Sequence, residues 1–362
     1  MKPTRIHRAR ASAGFSLIEL MVGLVIGMIG VVVMMQIFSV SEGYKRTTTG
    51  GDDAQNNGAI GLYGLQRDVR MSGQGSSSFT DNAASTSAYA LVGCNVTLRA
   101  GVTINALGPV TVNHASIPAG DANTDTLLVF YGTGDDGPEG DRVEAQPATN
   151  TYTLAGFSNA SGTPSFRVGD RVLAHPTPRP APCALSMESV TALALSNVTV
   201  ATGVAGMTGG ALFNIGQAPR FVAYAIRGGS LTMCDYMVNN CGGAFNAAHW
   251  MPLASNVVSL RAQYGRDTTA GTMDGTVDAF DQTTPTNVCG WVRTRAVRMA
   301  LVARSAQLEK DVVTAAAPAW AGSATHAIDV SADASWQNYR YKVFETIVPL
   351  RNVAWLGVQA GC

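Results

Sequence analysis

Apolar residues run almost unbroken from Phe15 to about Val40, and the acid that interrupts them is Glu19, in "GFSLIELMVGLVIG" from Gly14. As a helix this run spans roughly 39 Å at about 1.5 Å per residue, enough to cross a hydrocarbon core of about 30 Å. After Val40 the chain turns polar without an obvious helix stop. Leu62, Leu65 and Val69 then recur at a 3-4 spacing, the stripe of an amphipathic helix packed on a head domain. Gly58, Gly61 and Gly64 recur every third residue in the same stretch. Each costs about 1 kcal/mol in a helix relative to Ala, so this part is expected to be broken or closely packed. "GQGSSS" from Gly73 ends the helix.

Beyond Ser78 the pattern changes to short β runs between turn residues. "DTLLVFYG", "FRVGDRVLAH", "FVAYAIRGGSLTMC", "VVSLRAQYG", "AVRMALVARS" and "YKVFETIVPL" all read as strands. Alternation is plain in Val297, Met299, Leu301 and Ala303. Long Gly/Ser/Thr/Asn stretches between these strands read as loops, and residues 76–120 and 200–215 carry no usable motif. The expected fold class is α+β: a long N-terminal helix packed on an antiparallel sheet, with large loop insertions and no internal repeat.

Composition narrows the functional classes. The 362 residues carry no formal net charge and only 14% charged side chains, so no basic field argues for nucleic acid. Hydrophobic residues at 46% can bury a real core, which argues against general disorder. The first thirteen residues hold Lys2, Arg5, Arg8 and Arg10 and no acid. A basic flank of this kind stays in the cytoplasm and sends the C-terminal part across the membrane. A secretory signal would have a shorter apolar core, followed by a small-x-small cleavage site. Here the processing-like junction, Gly14-Phe15, precedes the apolar run. Cleavage there would remove the basic leader and keep the helix.

Cys94, Cys183, Cys234, Cys241, Cys289 and Cys362 all follow the apolar segment. An even number in an exported region points to disulfides, and six cysteines allow 15 pairings. Cys234 and Cys241 flank the turn-forming Asn239-Asn240 and are the best candidates for a local pair. Zinc is the competing reading, but the spacings form no paired C-x-x-C knuckles. His7, His114, His175, His249 and His326 are scattered without ligand spacing. There is no P-loop, G-x-S-x-G, H-E-x-x-H or Rossmann fingerprint. "GDDGPEGD" from Gly134, and Asp267, Asp274 and Asp278, could bind Ca²⁺, yet neither group has EF-hand spacing and both read as solvated loops. No metal, cofactor or catalytic residue is assigned.

"GFSLIELMVGLVIG" resembles the class III signal of type IV pilins and pseudopilins. In that family a prepilin peptidase cuts after the Gly, and the new terminal Phe is N-methylated. The resemblance makes Gly14 the last leader residue, Phe15 the methylated terminus and Glu19 the fifth residue of the mature chain. A charge inside a membrane helix costs about 2.5–3.5 kcal/mol, which marks it as functional. Cleavage creates a positive α-amine at Phe15, and in a filament of packed helices Glu19 can meet that amine on a neighbour. Such a pair rewards one stagger only, because buried charges repay desolvation only when well matched. The other reading pairs Glu19 with its own amine, four residues away. Gly23 and Gly27 form a G-x-x-x-G that lets helices approach, and Gly30 lies on the same helix.

Several further stretches resemble one subgroup, the large minor pilins called PilW. They are "LQRDVRMSGQG", "DTLLVFYGTGDDG", "VGDRVLA", "VVSLRAQYGRD" with "DGTVDAF", "WVRTRAVRMALVARS" and "YKVFETIVPLRN". Each is loose, but together they follow one order over most of the chain. The resemblance implies a leader over 1–14, a transmembrane half-helix over 15–40, its amphipathic continuation over 41–75 and a periplasmic β-rich head over 76–362. It implies a structural, non-enzymatic subunit held in the bacterial inner membrane until assembly and then carried to the pilus or cell surface. The implied partners are prepilin peptidase, other minor pilins, the major pilin and the inner-membrane assembly platform. Such minor pilins prime the filament and stay near its tip; adhesion, twitching motility or DNA uptake follow from the pilus. The alternatives are a large J-like pseudopilin of type II secretion and a membrane-anchored periplasmic enzyme, the second of which needs a convergent polar site.

Overall fold

The structure is a computed structural model describing residues 14, 16–78, 91–134, 139–155, 166–354, 357, 358 and 362. One α-helix runs from Leu17 to Met71. The apolar run and the amphipathic stripe are thus a single element, as expected of a stretch with no proline to interrupt it. By internal contacts the chain divides into two units, Met1–Gly50 and Gly51–Cys362.

In the first unit, the helix over Leu17–Gly43 is long and apolar enough to cross a membrane. Its side chains are exposed in the isolated chain.

In the second unit the helix supplies Ala54, Leu65 and Val69 to a buried core, with Leu62 packed at its margin. The three glycines are close contacts and the helix is unbroken. A Cβ at Gly58 would stand 2.1 Å from the Phe344 ring, and one at Gly61 would touch Leu231, Ala254 and Leu301. The missing side chains let the sheet approach the helix backbone. The helix stops at Met71, where Gly73 and Gly75 adopt positive φ.

Two antiparallel sheets supply most of the rest of that core. One orders its strands Ala279–Asp281, Val257–Arg266, Thr294–Arg304 and Tyr341–Pro349. The other orders them Met251–Ser255, Ser230–Asp235, Arg220–Arg227, Leu127–Tyr131 and Val110–Val112. "FVAYAIRGGSLTMC" is a hairpin, with Gly228 and Gly229 both at positive φ in its turn. Val297, Met299, Leu301 and Ala303 face the helix-bearing core, as their alternation requires. The opposite face of that strand is buried as well, because Trp320, Ile328 and Val330 cover Ala300 and Val302.

Much of the remainder corrects the reading of long loops. Asn197–Val200 pairs with Thr151–Leu154 on one side and Ala184–Ala194 on the other. Through Glu139–Ala148, Ala211–Gly216 and Arg171–His175 these strands close into a ring. Tyr152, Leu154, Phe166, Val172, Val198 and Val200 fill it. Asn95–Arg99, Val102–Ile104 and Val110–Val112 also lie in stretches without a motif. Their alternation is short and rich in Thr, so it reads weakly against the surrounding polar sequence. In "FRVGDRVLAH" only Arg171–His175 is strand. Gly169 at φ +95° turns the chain before it, and the Asp170 carboxylate accepts from the Arg167 amide at 2.7 Å.

Candidate functional site

The sequence points first to the N-terminus of the long helix. Gly14 is exposed, and Phe15 lies outside the described residues. Glu19 sits in the first helical turn, and its Oε2 accepts from the Ser16 amide at 3.0 Å. Ser16 Oγ accepts in turn from the Ile18 amide at 3.4 Å. The arrangement is close to a capping box, which satisfies amides that an α-helix leaves open at its start. That S-x-x-E signal is visible in the sequence. The carboxylate therefore has a local partner in the single chain besides any amine it meets in a filament. Gly23 and Gly27 have open space where a Cβ would go, so no contact among the described residues requires glycine there.

A second site lies where the helix ends on the head, and sequence reasoning missed it. Asp68 is buried. Its carboxylate accepts from Tyr224 Oη at 2.5 Å and from Tyr131 Oη at 3.2 Å, and Arg67 Nε donates to it at 3.0 Å. Burial pushes both phenols above their ordinary range, and the Asp68 charge pushes the same way. The hydrogen bond to Asp68, with its charge, raises Arg67. One turn further on, Asn352 Nδ2 donates to the carbonyls of Met71 and Ser72, both at 3.0 Å, and so caps the helix end. Asp68, Tyr131 and Asn352 each come from a stretch that carries the PilW resemblance. The fold thus joins three of those stretches at one seam.

The acidic candidates have internal partners. Asp267 is buried and accepts from the amides of Gly275 and Thr269 at 2.6 and 3.1 Å, and from Arg293 at 3.4 Å. Burial raises its carboxyl, but the two amides outweigh that and hold it below the usual range. Asp278 accepts from the Thr268 amide at 2.7 Å, and Asp274 from the Thr276 amide at 2.8 Å. Asp267, Asp274 and Asp278 therefore spend acceptor positions on closing their own loop. Asp135, Asp136 and Glu139 of the other cluster have no described side-chain placement.

The cysteines pair as Cys94–Cys183, Cys234–Cys241 and Cys289–Cys362. His175 lies beside the first bridge. Burial holds its imidazole below the ordinary range, and the charge of Arg179 adds to the effect.

Comparison with known proteins follows the same division of the chain. Residues 9–35 match the family model of the prokaryotic N-terminal methylation motif, and residues 223–352 match that of Type IV Pilus-assembly protein W. The second match contains Tyr224 and ends on Asn352, so it takes in part of the seam. No curated protein matches the chain. Among solved structures, a type IV-like pilin from Thermus thermophilus aligns over 83% of this chain and 96% of its own at 12% identity. Its TM-score is 0.27, a likeness too low to carry weight. The motif match implies a membrane-anchored precursor processed by prepilin peptidase, and the head match implies work beside other pilins in pilus assembly. Motif and head segment stand in one chain, joined by the long helix, and together the two matches support a PilW-like type IV pilin.

Proposed function

We propose that this chain is a structural, non-enzymatic minor pilin that helps to prime a type IV pilus and enters the fibre near its tip. The observation that carries the reading is an N-terminal methylation motif leading into a helix whose acid sits in its first turn, in the same chain as a PilW-type head segment. The precursor spans the inner membrane once, with its basic end in the cytoplasm and its head in the periplasm, as its flanking charges favour. Prepilin peptidase cuts between Gly14 and Phe15, and Phe15 is N-methylated. The freed amine and Glu19 then guide docking against other minor pilins and the major pilin on the assembly platform. Adhesion, twitching motility and DNA uptake depend on it through the pilus. The PilW match favours pilus assembly over type II secretion.

Mass spectrometry of the N-terminal peptide tests the processing step. A mature chain beginning at methylated Phe15 is expected, and a start near residue 40 would mean an ordinary signal peptide. Deleting the gene tests the role: surface pili should become scarce and secretion should persist. Normal piliation with failed secretion would reject the assignment.

A further inference from the structure

His175 ends the strand Arg171–His175, on the side where Leu173 joins a core that also holds Phe213, Cys94 and Cys183. It is only 4% exposed, and its Nε2 has no hydrogen-bond partner among the described residues. A neutral imidazole donates from one nitrogen, whereas the imidazolium must donate from both. The surroundings do not suit the charged form. One ring nitrogen lies within 4.8 Å of both sulfurs of the Cys94–Cys183 disulfide, which offers no charge. Arg179 acts on the ring with like charge. Across Ala211, the next residue of the row is Arg142, again positive. Asp141 and Glu188 on the adjoining strands stand opposite Leu212 and Val172, which face a different core. Asp170 bonds to Asn214, which pairs with Val172 on that same far side. The carbonyls of His175 and Pro176 favour the charged ring, but burial and Arg179 outweigh them.

The segment that follows is lightly held. Residues 176–182 include Pro176, Pro178, Pro180 and Pro182 and form no regular element. Proline has no amide to bond to the head. Side chains serve instead: Thr177 Oγ1 donates to the Gly209 carbonyl at 3.1 Å, and Arg179 Nη2 to the Val92 carbonyl at 2.7 Å. Cys183 then bonds to Cys94. We propose that His175 is an acid-sensitive latch: when its ring takes a proton from solvent, residues 175–182 lift from the head, and the Cys94–Cys183 bond keeps them tethered for return. No covalent bond changes. The imidazolium gains hydration by leaving its buried site, and its repulsion of Arg179 loosens the hold on Val92. Segments with few backbone bonds open locally before the whole domain does. The sign follows from the lowered pKa of the buried ring. Closure is fully favoured above the open-state pKa of about 6.5, and it weakens as pH falls from there towards the closed-state value.

The test uses the full chain in detergent and the buried Cys94–Cys183 bond as the reporter. A phosphine reductant is added between about pH 7.5 and about pH 5, new thiols are trapped with a maleimide, and peptide masses give the rate for each disulfide. Cys234–Cys241, also buried, serves as the internal reference for reagent and for global unfolding. The ratio of the two rates should rise below about pH 6.5, by up to about tenfold per pH unit. His175→Gln should make the ratio independent of pH. Arg179→Gln removes the like charge and should shrink the rise. Exchange of the imidazole carbon-bound hydrogen in wild type, followed by mass spectrometry, gives the His175 midpoint without any substitution, and it should lie below about 6.5. A constant ratio in wild type would overturn the latch, as would an equal rise in His175→Gln or an ordinary His175 midpoint.

Discussion

Asp68 shows how much one side chain can hold. Its carboxylate takes the hydroxyls of Tyr131 and Tyr224, one from each of two neighbouring strands of one sheet, onto the last turns of the helix. Hydrogen bonds to a charged group are worth about 1.5–3 kcal/mol, so Tyr224→Phe should cost roughly that much stability. Tyr131→Phe should cost less, because its bond is longer and its ring is slightly exposed. Thermal melts of the detergent-solubilised protein measure both. The phenols also set a pH dependence. A group whose folded pKa is raised gives stability that is complete below its unfolded pKa and lost as pH rises through the folded value. For a tyrosine the loss therefore begins above about pH 10. Tyr224→Phe should flatten that alkaline decline, and an identical pH profile for variant and wild type would contradict the assignment. The role of Asp68 is not legible in the sequence, because its partners stand 63 and 156 residues away and an Asp beside an Arg on a helix reads as surface.

At the scale of elements, periodicity decided what could be read. The long helix, the 3-4 stripe of Leu62, Leu65 and Val69, and the alternating strand through Met299 and Leu301 are legible because each buries a regular face. The ring of strands is not, since its members alternate over only a few residues and carry Thr, Ser and Ala on their outer positions. The glycine triplet is legible as a choice between break and contact, and the fold settles it as contact. In an isolated helix, Gly58→Ala would gain about 1 kcal/mol. Here the added methyl meets the Phe344 ring, and overpacking of this kind typically costs about 1–3 kcal/mol. Gly58→Ala should therefore lower the melting temperature, and Phe344→Ala should relieve part of the loss. Their coupling in a double-mutant cycle should exceed about 0.5 kcal/mol, and strict additivity would count against the contact.

The second unit is tied together by bridges of very different reach. Cys94–Cys183 and Cys289–Cys362 close separations of 89 and 73 residues, and Cys234–Cys241 only 7. Loop entropy alone gives about 4.5 kcal/mol for each long bridge and about 2.4 kcal/mol for the short one. Replacing either long pair by Ser should therefore destabilise the head more than replacing Cys234 and Cys241, and denaturant melts would show the order. Assembly is the larger claim, and it rests on Glu19. The carboxylate both caps its own helix through Ser16 and, in our reading, pairs with the Phe15 amine of a neighbouring subunit. Glu19→Gln separates these roles, because a glutamine still serves a capping box but carries no charge. The direct measurement is the amount of Glu19→Gln protein in sheared pili, set against its processing at Gly14-Phe15. A fully processed variant that stays in the membrane fraction and is missing from the pili is the expected result. Incorporation equal to wild type would contradict the pairing and leave Glu19 as a helix cap alone.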